Sequence, residues 1–220
     1  MLHALGITHV VSVGECALVP PPHLDGANAA AAGAMSCSLP NPGAQFVQGK
    51  GPGGQGSLWI EEREGRIKVL DIKGVCDDGI DTLEPQLEPI CEWIDRAREE
   101  GGKVLVHCRV GVSRSATVTI AYVMKHLSLP LVDAYLIVRS RRLSVLIQPN
   151  MRLLYNLLGW EVRLARERAE AALSEDKCQG MSDEEKEERK RTRLRCELAR
   201  ALNWPFLAKE VHALNEKYLH

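Results

Sequence analysis

The stretch that most restricts this chain runs from Lys103 to Leu127, where a short apolar run meets a long one through a loop containing a single glycine. Lys103-Val104-Leu105-Val106-His107 has the length and composition of a buried strand, and Ser115 to Leu127 is apolar enough for a buried helix. Between them lies His107-Cys108-Arg109-Val110-Gly111-Val112-Ser113-Arg114-Ser115. Buried strands that alternate with helices imply an α/β fold with a central, mostly parallel sheet flanked by helices. The loop then sits at the carboxyl end of a strand, where such sheets bind their ligands.

Upstream, Gly6-Ile7-Thr8-His9-Val10-Val11-Ser12-Val13-Gly14 is a β-branched run closed by glycine and reads as another buried strand. Gly65 to Ile72 alternates polar with apolar residues, as a half-buried strand does, and leads into the acidic loop Cys76-Asp77-Asp78-Gly79. From Thr82 to Glu100 the positions Leu83, Leu87, Ile90, Trp93, Ile94 and Ala97 keep helical spacing, with Thr82 set to cap the start and Gly101-Gly102 the end. Further helices are expected from Leu131 to Ser140, just behind Pro130, and from about Asn150 to Ala172.

These elements define a domain over residues 1–16 and 58–172. Residues 17–57, rich in Pro, Gly and Ala, show no periodicity and are expected to be a disordered insertion. Residues 173–220 read as a charged helical extension, with a solvated helix over 174–197. Ala199, Leu202, Phe206, Leu207, Val211, Leu214 and Tyr218 follow at helical spacing, so the tail is suited to dock on the domain or on a protein partner.

The 220 residues carry a formal net charge of -1, so no global field gathers nucleic acid or a membrane surface, and any anion site has to be built locally. Apolar runs are broken by charge before the roughly 18 residues of a membrane span, and no signal-peptide pattern opens the chain; the cytosol or nucleus is expected. Seven cysteines without CxxC pairs speak against a disulfide framework and a zinc site, so reduced thiols and no metal are expected.

A loop that leaves a strand and enters a helix presents backbone N–H groups with no intrahelical partner, and the helix dipole adds positive potential there. Arg109, Val110, Gly111, Val112, Ser113 and Arg114 form such an anion cradle, sized for a phosphate group. Gly111 permits close approach and unusual dihedrals, while the Arg114 guanidinium can grip two phosphoryl oxygens at once. The same positive field should draw the Cys108 thiol below its ordinary pKa of about 8.5 and make it a thiolate nucleophile. In-line attack by Cys108 on phosphorus, with Arg114 and the loop amides stabilising the transition state, would give a phosphocysteine.

The leaving oxygen needs a proton, and Asp77 and Asp78 are the candidate acids; Asp-Asp-Gly is also a good turn in its own right. The same carboxyl could later activate water, with Ser115 hydrogen bonding to the departing thiolate. His107 is expected to orient the loop by hydrogen bonds. Arg139, Arg141 and Arg142 form a basic cluster that reads either as a solvated helix end or as a second anion subsite for acidic or doubly phosphorylated substrates.

The loop from His107 to Ser115, with Ala121-Tyr122-Val123-Met124 behind it, resembles the dual-specificity branch of the cysteine-based protein tyrosine phosphatases. Gly6 to Val11 looks like the family's early strand, Trp93-Ile94-Asp95 like the close of its central helix, and Gln148-Pro149-Asn150 like the opening of a late helix. The likeness covers about residues 2–15 and 58–170. It implies a five-stranded sheet flanked by helices, no metal or organic cofactor, and hydrolysis of phosphotyrosine and phosphoserine or phosphothreonine in proteins. Counting back from Asp95, the family's spacing places the general acid at Asp77, with Asp78 in support. The strand and helix that usually precede Gly6 are not in this sequence, which implies an exposed sheet edge.

Arg109, Val110 and Val112 match neither the lysine-bearing loops of lipid-directed phosphatases nor the loop of RNA triphosphatases. A pseudophosphatase that binds phosphate without turnover is a competing expectation, against which Cys108 and Arg114 both speak. A scaffold acting through its tail is compatible with catalysis.

Overall fold

The computed structural model describes residues 2–15, 17–18, 57–76, 80, 82–142, 147, 149–175, 182–201, 209, 213 and 216. The insertion expected over 17–57, apart from its end residues, lies outside the described residues, as do Asp77, Asp78 and most of the tail expected to dock. The chain divides into two compact units, Met1–Cys76 with Ile94–Arg109, and Asp77–Trp93 with Val110–His220.

The first unit is a parallel sheet. β1 (His9–Val13) is central, with β2 (Lys68–Ile72) on one side and β3 (Val104–His107) on the other. All five residues of β1 are buried, whereas the four of β3, which pairs with β1 alone among the described residues, are only half-buried. The register sets Ser12 opposite both Asp71 and His107. Val10, Ile67 and Val69 form a small core with Leu2, Ile7, Leu58 and Leu105 packed on it. α1 (Ser57–Arg63) packs on β2 and its Glu62 accepts from the Val69 amide. The Asp71 carboxylate accepts from the amides of Ala17 and Leu18 at 3.0 and 3.3 Å.

Three strands are described where the resemblance implies five. Ahead of β1 the chain winds into a 3-10 turn, His3–Leu5, closed by Gly6 at φ 69°, so those residues are not available to extend the sheet.

α2 (Glu84–Glu99) follows its predicted periodicity, with Leu83, Leu87, Ile90, Ile94 and Ala97 all buried. Its N-terminus corrects the expected Thr82 cap. Asn156 Oδ1 accepts from the Thr82 hydroxyl at 2.9 Å and from the Leu83 and Glu84 amides at 2.6 and 2.5 Å, so the capping oxygen comes from a distant helix.

That helix is α5 (Met151–Glu175), which packs with α3 (Arg114–His126) and α4 (Leu131–Ser140) in the second unit. α3 is largely buried through Ala116, Val118, Ile120, Ala121 and Met124, and Trp160 Nε1 of α5 donates to the Ala121 carbonyl at 3.1 Å. Pro130 precedes α4 and offers no side-chain cap; buried Glu161 of α5 accepts from the Leu131 amide at 2.7 Å instead. Burial pushes the Glu161 carboxyl above its ordinary pKa, against the Leu131 amide and Arg168.

α6 (Asp183–Ala201) opens with a capping box, in which Ser182 Oγ accepts from the Glu185 amide at 3.3 Å and Glu185 accepts from the Ser182 amide at 2.9 Å. The sequence reading of a solvated helix is corrected on one face: Lys190, Arg193, Leu194, Glu197 and Leu198 are half-buried and the helix packs on α5. Arg168–Glu197 and Lys190–Glu170 ion pairs join the two, at 3.0 and 2.9 Å. No single helix among the described residues is long and apolar enough to cross a membrane.

Candidate active site

β3 ends at His107, and the chain leaves it through buried Cys108 into exposed Arg109 and Val110, the latter 74% exposed. Burial pushes the His107 ring below the usual histidine pKa, opposed by the carboxylates of Glu15 and Asp71 and by a hydrogen bond with the Cys108 backbone. Its Nε2 is buried and makes no hydrogen bond among the described residues. A neutral ring tied to the backbone of the next residue fits an orienting part, since it carries no spare proton at neutral pH.

The turn comes next. Gly111 adopts φ 79°, a left-handed conformation that side chains resist, and its carbonyl accepts from Arg142 Nη2. Ser113 stands at the start of α3 in a non-helical conformation, φ -116° and ψ -84°, without a side-chain cap. Its carbonyl accepts from the Thr117 amide at 2.9 Å and from the Thr117 hydroxyl at 3.1 Å. No acidic residue occupies the first turn of α3, so no carboxylate of that turn offsets the positive end of its dipole.

Arg114 and Ser115 open α3 and are both buried, with 7% and 5% of their surface exposed. The Ser115 carbonyl accepts from the Thr119 hydroxyl at 2.8 Å. Cys108 through Ser115 thus occupy one uninterrupted segment that ends a strand and begins a helix.

The basic cluster divides. Half-buried Arg139 donates to the Tyr135 hydroxyl at 3.1 Å, Arg142 holds Gly111, and Arg141 is exposed, so the solvated-end reading fits Arg141 alone. The candidate acids Asp77 and Asp78 lie outside the described residues; before them the chain passes through buried Val75 and exposed Cys76. Cys76, Cys91, Cys108 and Cys196 are thiols that take part in no disulfide. Among the described residues no three His, Cys, Asp or Glu side chains gather as a metal site.

Sequence reasoning did not find the Arg142 tie to Gly111 or the two caps from α5. Asn156 and Glu161 carry a visible signal, each being polar on a helix whose neighbours Leu153, Leu157, Trp160 and Leu164 are buried. For Arg142 the only signal is membership of the basic cluster.

In chain order a buried cysteine follows the strand and an arginine takes the first position of the next helix, residue types suited to oxyanion chemistry. Residues 55–163 match the family model described as the dual specificity phosphatase catalytic domain, and the chain belongs to that family within the cysteine-based protein tyrosine phosphatases.

Among its relatives is the dual specificity protein phosphatase PPS1 of Saccharomyces cerevisiae, 39% identical over 174 residues that cover 73% of this chain and 21% of the relative. The dual specificity protein phosphatase 16 of Homo sapiens is 38% identical over 90 residues, covering 41% of this chain and 13% of the relative. This chain therefore spans only a small part of the length of these relatives. Among solved structures, human DUSP28 superposes with a TM-score of 0.50 at 26% identity, over 76% of this chain and 85% of the other.

Proposed function

We propose that this protein hydrolyses phosphate monoesters of tyrosine and of serine or threonine in phosphorylated proteins, through a phosphocysteine intermediate. The observation that carries the reading is the Cys108–Ser115 segment, in which a buried cysteine leaves β3 and a buried arginine opens a helix whose first turn has no acidic residue.

In this reading the Cys108 thiolate attacks phosphorus in line and the substrate oxygen departs with its electron pair, taking a proton from Asp77. Arg114 and the amides from Arg109 to Arg114 hold the equatorial oxygens as charge spreads over them. Asp77 then removes a proton from water, which displaces the thiolate and releases inorganic phosphate; Ser115 hydrogen bonds to the returning sulfur. Asp78 supports the acid loop, and His107 fixes the main chain at the nucleophile. The reaction needs Cys108 reduced, which suits the cytosol or nucleus.

The test is hydrolysis of a small aryl phosphate by wild type and Cys108→Ser across a range of pH. Turnover by wild type alone is expected, with substrate retained by the variant, and equal rates would refute the enzyme reading. The acid is tested by Asp77→Asn against Asp78→Asn on a substrate with a poor leaving group. Asp77→Asn is expected to slow turnover by about 100-fold or more, and a larger loss in Asp78→Asn would reassign the acid.

A further inference from the structure

We propose that Arg142 is a positioning residue for the phosphate-binding turn, fixing the Gly111–Val112 peptide so that its N–H faces the bound phosphoryl group. This rests on the phosphatase reading above. A trans peptide is planar, and its C=O and N–H point in opposite directions. Arg142 Nη2 donates to the Gly111 carbonyl, so the oxygen is held toward Arg142 and the Val112 N–H is turned the other way.

The constraint matters because the residue ahead of this peptide is glycine. At φ 79° Gly111 has access to conformations closed to other residues, and a peptide beside it rotates at little steric cost. Rotation by half a turn would aim a carbonyl dipole at the anion where an N–H had been. One donor would become one repulsive acceptor. Arg142 also lies beside the glycine itself: a Cβ built on Gly111 would stand 3.7 Å from Arg142 Nη2, in ordinary van der Waals contact.

Arg142 is mounted on braced structure. Its amide donates to the Arg139 carbonyl at 3.4 Å, at the end of α4. Arg139 in turn donates to the hydroxyl of fully buried Tyr135, and that hydroxyl donates to the Ile147 carbonyl at 3.2 Å. The guanidinium therefore reaches the turn from a helix end that is itself tied down. A fixed donor of this kind is worth more to an anion site than a mobile one, because nothing has to reorganise as charge develops.

Arg142→Met keeps most of the side-chain length and removes the donors. It is expected to lower kcat/KM toward a small aryl phosphate about tenfold, and to weaken orthovanadate inhibition about as much, since both read the oriented amide. Arg142→Lys, which keeps a donor without the fork, is expected within about threefold of wild type. Arg141→Met, altering an exposed neighbour, should stay within about twofold.

The structural readout is the Val112 amide in 15N-labelled protein. It should shift on saturation with vanadate in wild type and shift less in Arg142→Met. Unchanged kcat/KM and vanadate affinity in that variant would overturn the proposal, as would loss of both with the Val112 response intact. If Arg142→Met does not fold, Arg142→Ala, which also removes the donors, decides: a reduced rate with a reduced Val112 response supports the assignment, and wild-type values for both overturn it. Wild-type protein that neither turns over nor binds vanadate would overturn both readings, whereas failure of the Arg142 variants alone leaves the phosphatase reading standing.

Discussion

Gly102 and Gly159 both lack room for a Cβ, yet different things stand in the way. At Gly102 an added carbon would lie 2.7 Å from the Ala97 carbonyl oxygen, His9 Nδ1 and Thr8 Oγ1, one of them backbone and two engaged with each other at 2.8 Å. At Gly159 it would meet the end of the Glu84 side chain, which can swing away. Gly102→Ala should therefore cost about 1–3 kcal/mol, from forced displacement in a packed site. Gly159→Ala, inside α5, should fall within about 1 kcal/mol of wild type, because helix propensity favours alanine. Urea unfolding of the two variants checks the contrast. Histidines set a second expectation at this scale. Burial lowers the pKa of His9, helped by Lys68 and opposed by Glu100, and burial lowers that of His107. As pH falls through the unfolded-chain value of about 6.5, the unfolded state takes up protons before the folded state does, so stability falls. The unfolding free energy should drop between about pH 7.5 and 5.5, and His9→Asn should flatten that drop. An equal slope in the variant would remove His9 from the account.

At the level of elements, two helix starts are closed by side chains borrowed from α5. Asn156→Leu would strand the Thr82 hydroxyl and the Leu83 and Glu84 amides, and should cost about 1–3 kcal/mol in urea unfolding. Glu161→Ala should cost a similar amount at α4, whereas Glu161→Gln keeps an acceptor for the Leu131 amide, sheds a buried charge, and should cost under about 1 kcal/mol. Equal losses in the two Glu161 variants would show that the charge, not the acceptor, is what α4 needs. These caps explain what was legible in the sequence and what was not. α4 spans the expected residues because Pro130 cannot continue a helix backward and the apolar spacing does the rest. Cys108 to Ser115 was legible because a strand, a glycine turn and a helix start are local patterns. Asn156 and the Leu83 amide are 73 residues apart, and Arg142 and Gly111 are 31 apart, so no window of local periodicity contains both partners. Thr82, the nearest residue of the right type, was therefore given a part that belongs to Asn156.

For the molecule as a whole, the family match over residues 55–163 holds the Cys108 segment, α2 and the first half of α5, while β1 lies ahead of it. The appended α6 is bound to α5 by charge pairs and a thin apolar face, Leu194 and Leu198, so it adds length to the molecule more than core. The sheet sets the larger consequence. β1 is hydrogen bonded on both sides and wholly buried; β3 is bonded only to β1 among the described residues and is half-buried along its four residues. Detaching β3 breaks one ladder and exposes little new surface, whereas detaching β1 breaks two and empties the core. The residue after β3 is Cys108. The proposed phosphatase activity should accordingly disappear at lower urea than helix content does, and the β3 amides should exchange with deuterium sooner than those of β1. Coincident loss of activity and circular dichroism would refute this. Inactivation of this molecule is then a fraying event, set by how tightly one short strand stays zipped to its neighbour while the rest of the fold is still standing.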